Sequence, residues 1–141
     1  MVCNIDRSNG SIFFEENRVI TRSTNLHRVL SMGFTVWNDW EVNTGWRHVS
    51  IKDIFMLGKP ASAMLSFFHE ELKKVFFVLL DQDRTDPEKV RQHHDRALIA
   101  AFGPPHSSNI HGFIKCSFAW GTIESSYDPR AVESNIILTW T

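Results

Sequence analysis

Between Phe34 and Leu80 the apolar residues follow a spacing of two, and this alternation constrains the fold more than any other feature of the sequence. A period of two is typical of β-strands that bury one face. Turn-forming or charged residues interrupt the alternation at 43–45, 58–60 and 69–71. The segment therefore predicts four antiparallel strands, at about 34–42, 46–55, 62–68 and 72–80. The last strand is apolar on both faces, as expected at the centre of a sheet.

The second half of the chain contains the clearest helix signal. Asp86 is suited to the N-cap, and Pro87 follows at the first helical position, where proline is favoured. A Gly-Pro-Pro run at 103–105 prevents the helix from continuing. Between these limits the apolar residues have helical spacing and form one continuous face: Val90, His94, Ala97, Leu98 and Ala101.

The remaining elements complete an α+β arrangement. A short strand is predicted at 11–15, and a first helix is capped by Ser23 or Thr24 and ends at Gly33, with Leu26, Val29 and Leu30 on its apolar face. Further strands are expected near 112–120, 121–127 and 134–140. Each predicted helix ends at a glycine and precedes a strand that contains tryptophan, although no residue-level repeat is present. We predict one domain over residues 1–141, with an antiparallel sheet of six to seven strands packed by two helices on one face.

The charges of the chain nearly balance, with 15 Lys and Arg against 16 Asp and Glu, for a net charge of −1. Binding to nucleic acid or to anionic membrane surfaces relies on an excess of basic residues, so this balance argues against both. The longest apolar run, at 75–80, is too short to span a bilayer, and the N-terminal residues lack a secretory signal pattern. Cys3 and Cys116 do not indicate a disulfide framework, so we expect a cytoplasmic protein.

No sequence motif indicates a catalytic, metal or cofactor site. On a helix His93 and His94 would point about 100° apart, whereas zinc-binding helices place their histidines four residues apart. His94 falls on the apolar face, which favours a hydrogen-bonded core residue. A nucleophile elbow and a glycine-rich phosphate loop are both missing from the sequence. We therefore expect no enzymatic activity, no metal and no cofactor. The alternative is a ligand-binding domain or small enzyme that uses His94, His106 and His111 in a pocket.

Aromatic residues are abundant, with five Trp and eleven Phe in 141 residues. If the first two long strands pair through a two-residue loop at Thr44 and Gly45, Trp40 faces the core. The opposite face then carries two tryptophans among acidic and polar side chains, which is typical of protein-binding surfaces. The predicted partner-binding residues are Trp37, Asp39, Glu41, Trp46 and His48. The alternative is that a helix or the N-terminal strand covers this face.

Four segments in the last third of the chain carry a family resemblance: Ala97-Leu-Ile-Ala-Ala-Phe-Gly-Pro-Pro105, Trp120-Gly121, Tyr127-Asp-Pro-Arg130 and Ile136-Ile-Leu-Thr-Trp140. With the α+β plan, they resemble the small cytoplasmic immunity proteins encoded beside secreted bacterial toxins, including polymorphic, contact-dependent and type VI effectors. The resemblance implies a stoichiometric inhibitor that binds one toxin and blocks its active site or substrate entry, and it assigns no functional residue. A net charge of −1 does not favour a nuclease target, because strong acidity would complement a basic nuclease. A secretion chaperone or adaptor for an effector is the other alternative.

Overall fold

A computed structural model of the chain describes residues 3–15, 17–108 and 113–141. In chain order its elements are β1 (Ile12–Phe13), β2 (Val19–Ile20), α1 (Leu26–Leu30), β3 (Thr35–Glu41), β4 (Trp46–Met56), β5 (Lys59–Phe68), β6 (Glu71–Leu79), α2 (Pro87–Phe102), β7 (Ser107–Ser108), β8 (Ile114–Phe118), β9 (Gly121–Asp128) and β10 (Glu133–Trp140). None of the helices in this part of the chain is long and apolar enough to cross a membrane.

Eight of the strands form one antiparallel sheet in the order β3-β4-β5-β6-β10-β9-β8-β7. The two-residue strands β1 and β2 pair separately. Seven strands of the large sheet have five or more residues, and β7 adds an eighth of two residues. The predicted α+β fold with an antiparallel sheet is therefore confirmed, and so is the central position of β6, which lies between β5 and β10.

The large sheet consists of two similar halves. Helix α1 precedes the meander β3 to β6, and helix α2 precedes the meander β7 to β10. The last strands of the two meanders pair in the middle, where Phe77 lies opposite Ile136 and Val75 opposite Leu138. Strands β3 and β7 consequently form the two edges of the sheet.

The hydrophobic core lies on one face of the sheet, under both helices and the β1–β2 pair. Alternate residues of the central strands are fully buried there, as the period of two requires: Val49, Ile51, Leu65, Val75, Phe77, Leu79, Ile123, Ile136 and Leu138. The amide of Asn4 fixes the N-terminal segment to this layer, because it donates to the carbonyl of Phe55 at 3.0 Å and accepts from the N–H of Leu57 at 3.0 Å.

Helix α2 agrees with the sequence prediction in both its ends and in most of its buried face, except that Phe102 is buried and the predicted Ala101 is only half-buried. The carboxylate of Asp86 accepts from the N–H of Glu88 at 3.0 Å, and Gly103 forms the C-cap. Its buried residues are Val90, His94, Ala97, Leu98 and Phe102. The local cap and proline signals therefore located this helix correctly, because they act within the segment itself.

Helix α1 differs from its prediction at both ends, and it ends at Leu30 with Ser31 as the C-cap rather than at Gly33. Its N-cap is Asn25, whose side chain accepts from the N–H of Arg28 at 2.9 Å, rather than Ser23 or Thr24. The hydroxyl of Thr24 instead accepts from the N–H of Thr21 at 2.9 Å and stabilises the preceding turn. Leu30 is 41% exposed, because it is the last residue of a five-residue helix and the chain turns away after it. The predicted strand at 11–15 is reduced to β1, and the start of the strand predicted at 112–120 lies outside the described residues.

His94 is a core residue, as the sequence predicted. Its side chain is fully buried, and the backbone N–H of Leu79 donates to its Nε2 at 3.2 Å. Burial is the main cause that lowers the pKa of His94 to about 4; nearby His93 contributes to this shift and Asp81 opposes it. The imidazole is therefore neutral in the folded protein at neutral pH.

Because the pKa of His94 is depressed by folding, we expect the stability of the protein to fall as the pH is lowered from 6.5 towards 4. In that window the unfolded chain binds a proton that the folded chain excludes, so the free energy of unfolding drops by about 2 kcal/mol between pH 7 and pH 5. Urea unfolding at the two pH values measures this difference. In His94→Gln the free energy of unfolding should fall clearly less between pH 7 and pH 5. An unchanged pH dependence in this variant would show that another group is responsible.

Candidate functional site

The face of the sheet opposite the helices is open within the described part of the chain, and we call it the open face. The apolar side chains of its central strands are half-buried, whereas the alternate side chains of the same strands on the core face are buried. At its centre Met64, Phe76 and Ile137 occupy neighbouring positions on three adjacent strands. Monomeric proteins rarely expose a contiguous apolar surface of this kind, and such surfaces commonly bind other molecules.

The hairpin β3–β4 reaches this face in a different register from the one predicted. Its loop has three residues, 43–45, because the N–H of Val42 donates to the carbonyl of Trp46 at 2.9 Å. Gly45 supports this turn with a φ of +94°. Because the loop has three residues rather than the predicted two, the side chains of β3 next to the loop point to the opposite faces from those predicted. Trp40 consequently lies opposite His48 on the open face, and its predicted position in the core is wrong.

A β-bulge at Trp37 then restores the predicted register further along β3. Beyond the bulge Val36 lies opposite Ile51, so the side chains of β3 again point to the faces that the two-residue loop predicted. The indole of Trp37 is 59% exposed and lines a groove on the open face. A bulge re-aims the side chains beside it, which explains how Trp37 and Trp40 both reach the same groove.

The five residues predicted to bind a partner are therefore divided between two faces. Trp37, Trp46 and His48 belong to the open face, whereas Asp39 lies opposite Val49 and Glu41 lies opposite Arg47 on the helix side. The guanidinium of Arg47 donates to both carboxylate oxygens of Asp39, at 2.9 and 2.8 Å, and this pairing lowers the pKa of Asp39. Because β3 is an edge strand, both sets of side chains nevertheless reach solvent at the same edge.

Four rings form a continuous aromatic row on the open face: Trp40, His48, Trp46 and Phe68. The centroid of the His48 ring lies 5.1 Å from that of Trp40 and 6.1 Å from that of Trp46, and Trp46 lies 5.2 Å from Phe68. Nδ1 of His48 forms a 2.9 Å hydrogen bond with the hydroxyl of Ser66. Burial lowers the pKa of His48. The row is thus held in place before any partner arrives, which reduces the entropy lost on binding.

Next to the aromatic row lies a groove of about 540 Å³, which we call the open-face groove. Trp37 and Trp40 line it at the β3 end, and Asp128 and Glu133 line it at the β9–β10 end. Its floor consists of the apolar side chains Met64, Phe76, Val78 and Ile137 with small polar residues between them. Sequence reasoning missed the floor and the acidic end, because they come together only through the pairing of β6 with β10.

The histidines considered for an alternative pocket are not brought together where the structure describes them. His94 is in the core, and Nδ1 of His106 accepts from the N–H of Ser117 at 2.7 Å. His111 lies outside the described residues. Within the described residues no group of three or more His, Cys, Asp or Glu side chains could hold a metal ion.

Both cysteines are free thiols, and burial raises the pKa of each of them. A raised pKa keeps Cys3 and Cys116 protonated at neutral pH, where the thiol is a poor nucleophile. The groove and the aromatic row, by contrast, combine apolar area with a few polar groups, which suits recognition of another molecule.

Comparison with known proteins supports the fold and leaves the function open. No protein-family model matches the sequence, and no curated protein matches it. A chain in the solved structure of Rhs1-CT in complex with cognate immunity protein RhsI1 is similar, with a TM-score of 0.56 and 12% sequence identity. The match covers 96% of this chain and 85% of that chain. At this identity the similarity shows a common fold.

Proposed function

We propose that the chain is a non-enzymatic binding protein of the immunity type, which neutralises a cognate protein toxin by covering its active site or substrate entry. One observation carries this proposal: a preformed aromatic surface is exposed on a sheet face that lies open within the described residues. The fold similarity to a chain from an immunity-protein complex supports the same class of function. The free thiols fit a reducing compartment, so we place the protein in the cytoplasm.

The proposed partner-binding surface is the edge of the sheet around β3. Trp37 and Trp46 would act as anchors, since large aromatic side chains contribute most of the binding energy at protein interfaces. His48 would lie beside them on the open face. A partner that wraps around the edge strand would also meet Asp39 and Glu41 on the other side, where rim charges chiefly affect the rate of association.

We expect Trp37→Ala and Trp46→Ala each to weaken binding of the partner toxin by at least about thirtyfold, which corresponds to about 2 kcal/mol. The partner is first isolated by affinity capture from the native host and identified by mass spectrometry. Its dissociation constant is then measured by calorimetry with each variant, and protection of growing cells against the toxin is scored in parallel.

The matched control is Ile99→Ala, which shortens a side chain that is 44% exposed on α2, away from the proposed surface. It should bind like the unaltered protein, and all three variants should retain the fold in a thermal melt. Full affinity in both tryptophan variants would rule out this surface. Failure of any stoichiometric protein partner to appear in the capture would reject the immunity function itself.

A further inference from the structure

We propose that the open-face groove binds a basic, extended segment of the partner protein, with Lys or Arg side chains against Asp128 and Glu133 and apolar side chains on its floor. This inference deepens the proposed function and rests on it, because it names the chemistry of the segment that the open face receives. It goes beyond the tryptophan anchors, since neither carboxylate belongs to the β3–β4 hairpin.

The acidic end of the groove is built from two carboxylates that face the same cavity. Glu133 lies directly opposite Asp128 across β9 and β10, and both side chains are exposed and line the groove. Like charges at directly opposed positions destabilise a sheet, so this pair costs free energy in the isolated protein. A cation placed between the carboxylates removes the repulsion and gains charge-assisted hydrogen bonds.

Both carboxylates are available to such a cation. One oxygen of Asp128 accepts from the backbone N–H of Arg130 at 2.9 Å, which fixes the direction of the side chain and leaves the second oxygen accessible. The ion pairs formed among the described residues involve other carboxylates. No Lys or Arg of the described chain lines the groove. Arg84 lines a neighbouring pocket together with Glu133, without an ion pair to it, and Lys74 lies on the same face beyond the groove, beside Thr139.

The distance between the two ends of the groove determines the kind of occupant. From β3 to β9 the sheet order includes five steps between neighbouring strands, which at about 4.8 Å each give about 24 Å along the sheet. No single side chain spans that length. An extended backbone rises about 3.3 Å per residue, so a segment of about seven residues reaches from the tryptophans to the carboxylates.

The floor of the groove favours a peptide of mixed character over a uniformly basic one. Met64, Phe76 and Ile137 form a continuous apolar strip across three strands, with small polar side chains such as Ser62 and Ser126 beside it. Apolar side chains of the segment would pack on this strip and on Trp37. The net charge of −1 is therefore compatible with selection of a basic segment, because the charge that matters is local.

The experiment uses a library of random twelve-residue peptides displayed on phage, selected against the full chain. We expect the selected peptides to be enriched in Lys or Arg at one end and in aromatic or aliphatic residues at the other. Binding of the synthetic peptides should shift the indole NMR signals of Trp37 and Trp40. The double variant Asp128→Asn/Glu133→Gln should weaken their binding at least tenfold. Addition of about 0.5 M salt should weaken it as well, because salt screens the attraction between exposed charges.

The matched control is Glu124→Gln, which removes a carboxylate from the same face but from a position opposite Lys115 and outside the groove. It should leave peptide affinity unchanged. Selection of peptides without basic residues, equal affinity in the double variant, or no selected binder would each overturn the groove proposal. A captured partner whose affinity depends on Trp37 but not on the carboxylates would overturn it while leaving the proposed function intact. If the peptides bound as expected but no protein partner were captured, the groove proposal would stand and the proposed immunity function would be rejected.

Discussion

Leu98→Ala is expected to lower the free energy of unfolding by about 2–5 kcal/mol, the range found when a fully buried leucine is shortened. The side chain of Leu98 is completely buried in α2 and belongs to the hydrophobic core under the sheet. Helix α2 packs on β9 and β10, so the cavity would open beside β10, the strand that pairs with β6 to join the two halves of the sheet. Urea unfolding at pH 7 measures the loss as a lower midpoint with an unchanged slope.

The neighbouring residue provides the control for this prediction. Ile99 follows Leu98 in the same helix but points to solvent, with 44% of its surface exposed. Ile99→Ala should change the free energy of unfolding by less than about 0.5 kcal/mol, as is usual for surface substitutions. If the two variants unfolded at the same urea concentration, the assignment of the buried face of α2 would be wrong.

The contrast between α2 and the β3–β4 hairpin shows which features a sequence reveals. For α2, the cap Asp86, the proline after it and the apolar spacing are all local signals, and all of them agree. For the hairpin, the register depends on one residue more or less in the loop at 43–45 and on the bulge at Trp37. Neither the loop length nor the bulge can be recognised from the alternation of apolar and polar residues in the sequence. The face of Trp40 therefore could not be derived from the sequence pattern alone.

The open-face groove was missed for a second reason, which concerns pairing between distant strands. Phe76 and Val78 make β6 apolar on both faces, and the sequence interpretation took this as the mark of a buried centre. In the structure β6 is central, but these two side chains are half-buried on the open face. Apolar residues on both faces of a central strand are thus compatible with a surface that binds a partner. Asp128 joins that surface only because β10 pairs with β6 and β9.

Gly121→Ala should have the largest effect on stability, with a loss of about 4 kcal/mol or more. Gly121 begins β9 opposite Trp140 and has a φ of +155°. A Cβ atom at this position would lie 1.9 Å from the carbonyl oxygen of Thr139 and 2.9 Å from its carbonyl carbon. The obstacle is backbone of β10, a central strand, and no side-chain rotation can relieve the overlap. Thermal melts of the purified variant, or its soluble yield if it does not fold, measure the loss.

Gly33→Ala separates this steric overlap from the general cost of a side chain at positive φ. Gly33 has a φ of +81°, and a Cβ atom there would meet nothing within 4 Å. Its replacement should therefore cost only the backbone strain, about 1–2 kcal/mol. A similar loss in both variants would mean that β10 yields to the added methyl group and that the pairing of Gly121 with Trp140 is not tight. A much larger loss for Gly121→Ala is the expected result, because movement of β10 also disturbs its pairing with β6, through which the two halves of the sheet are joined.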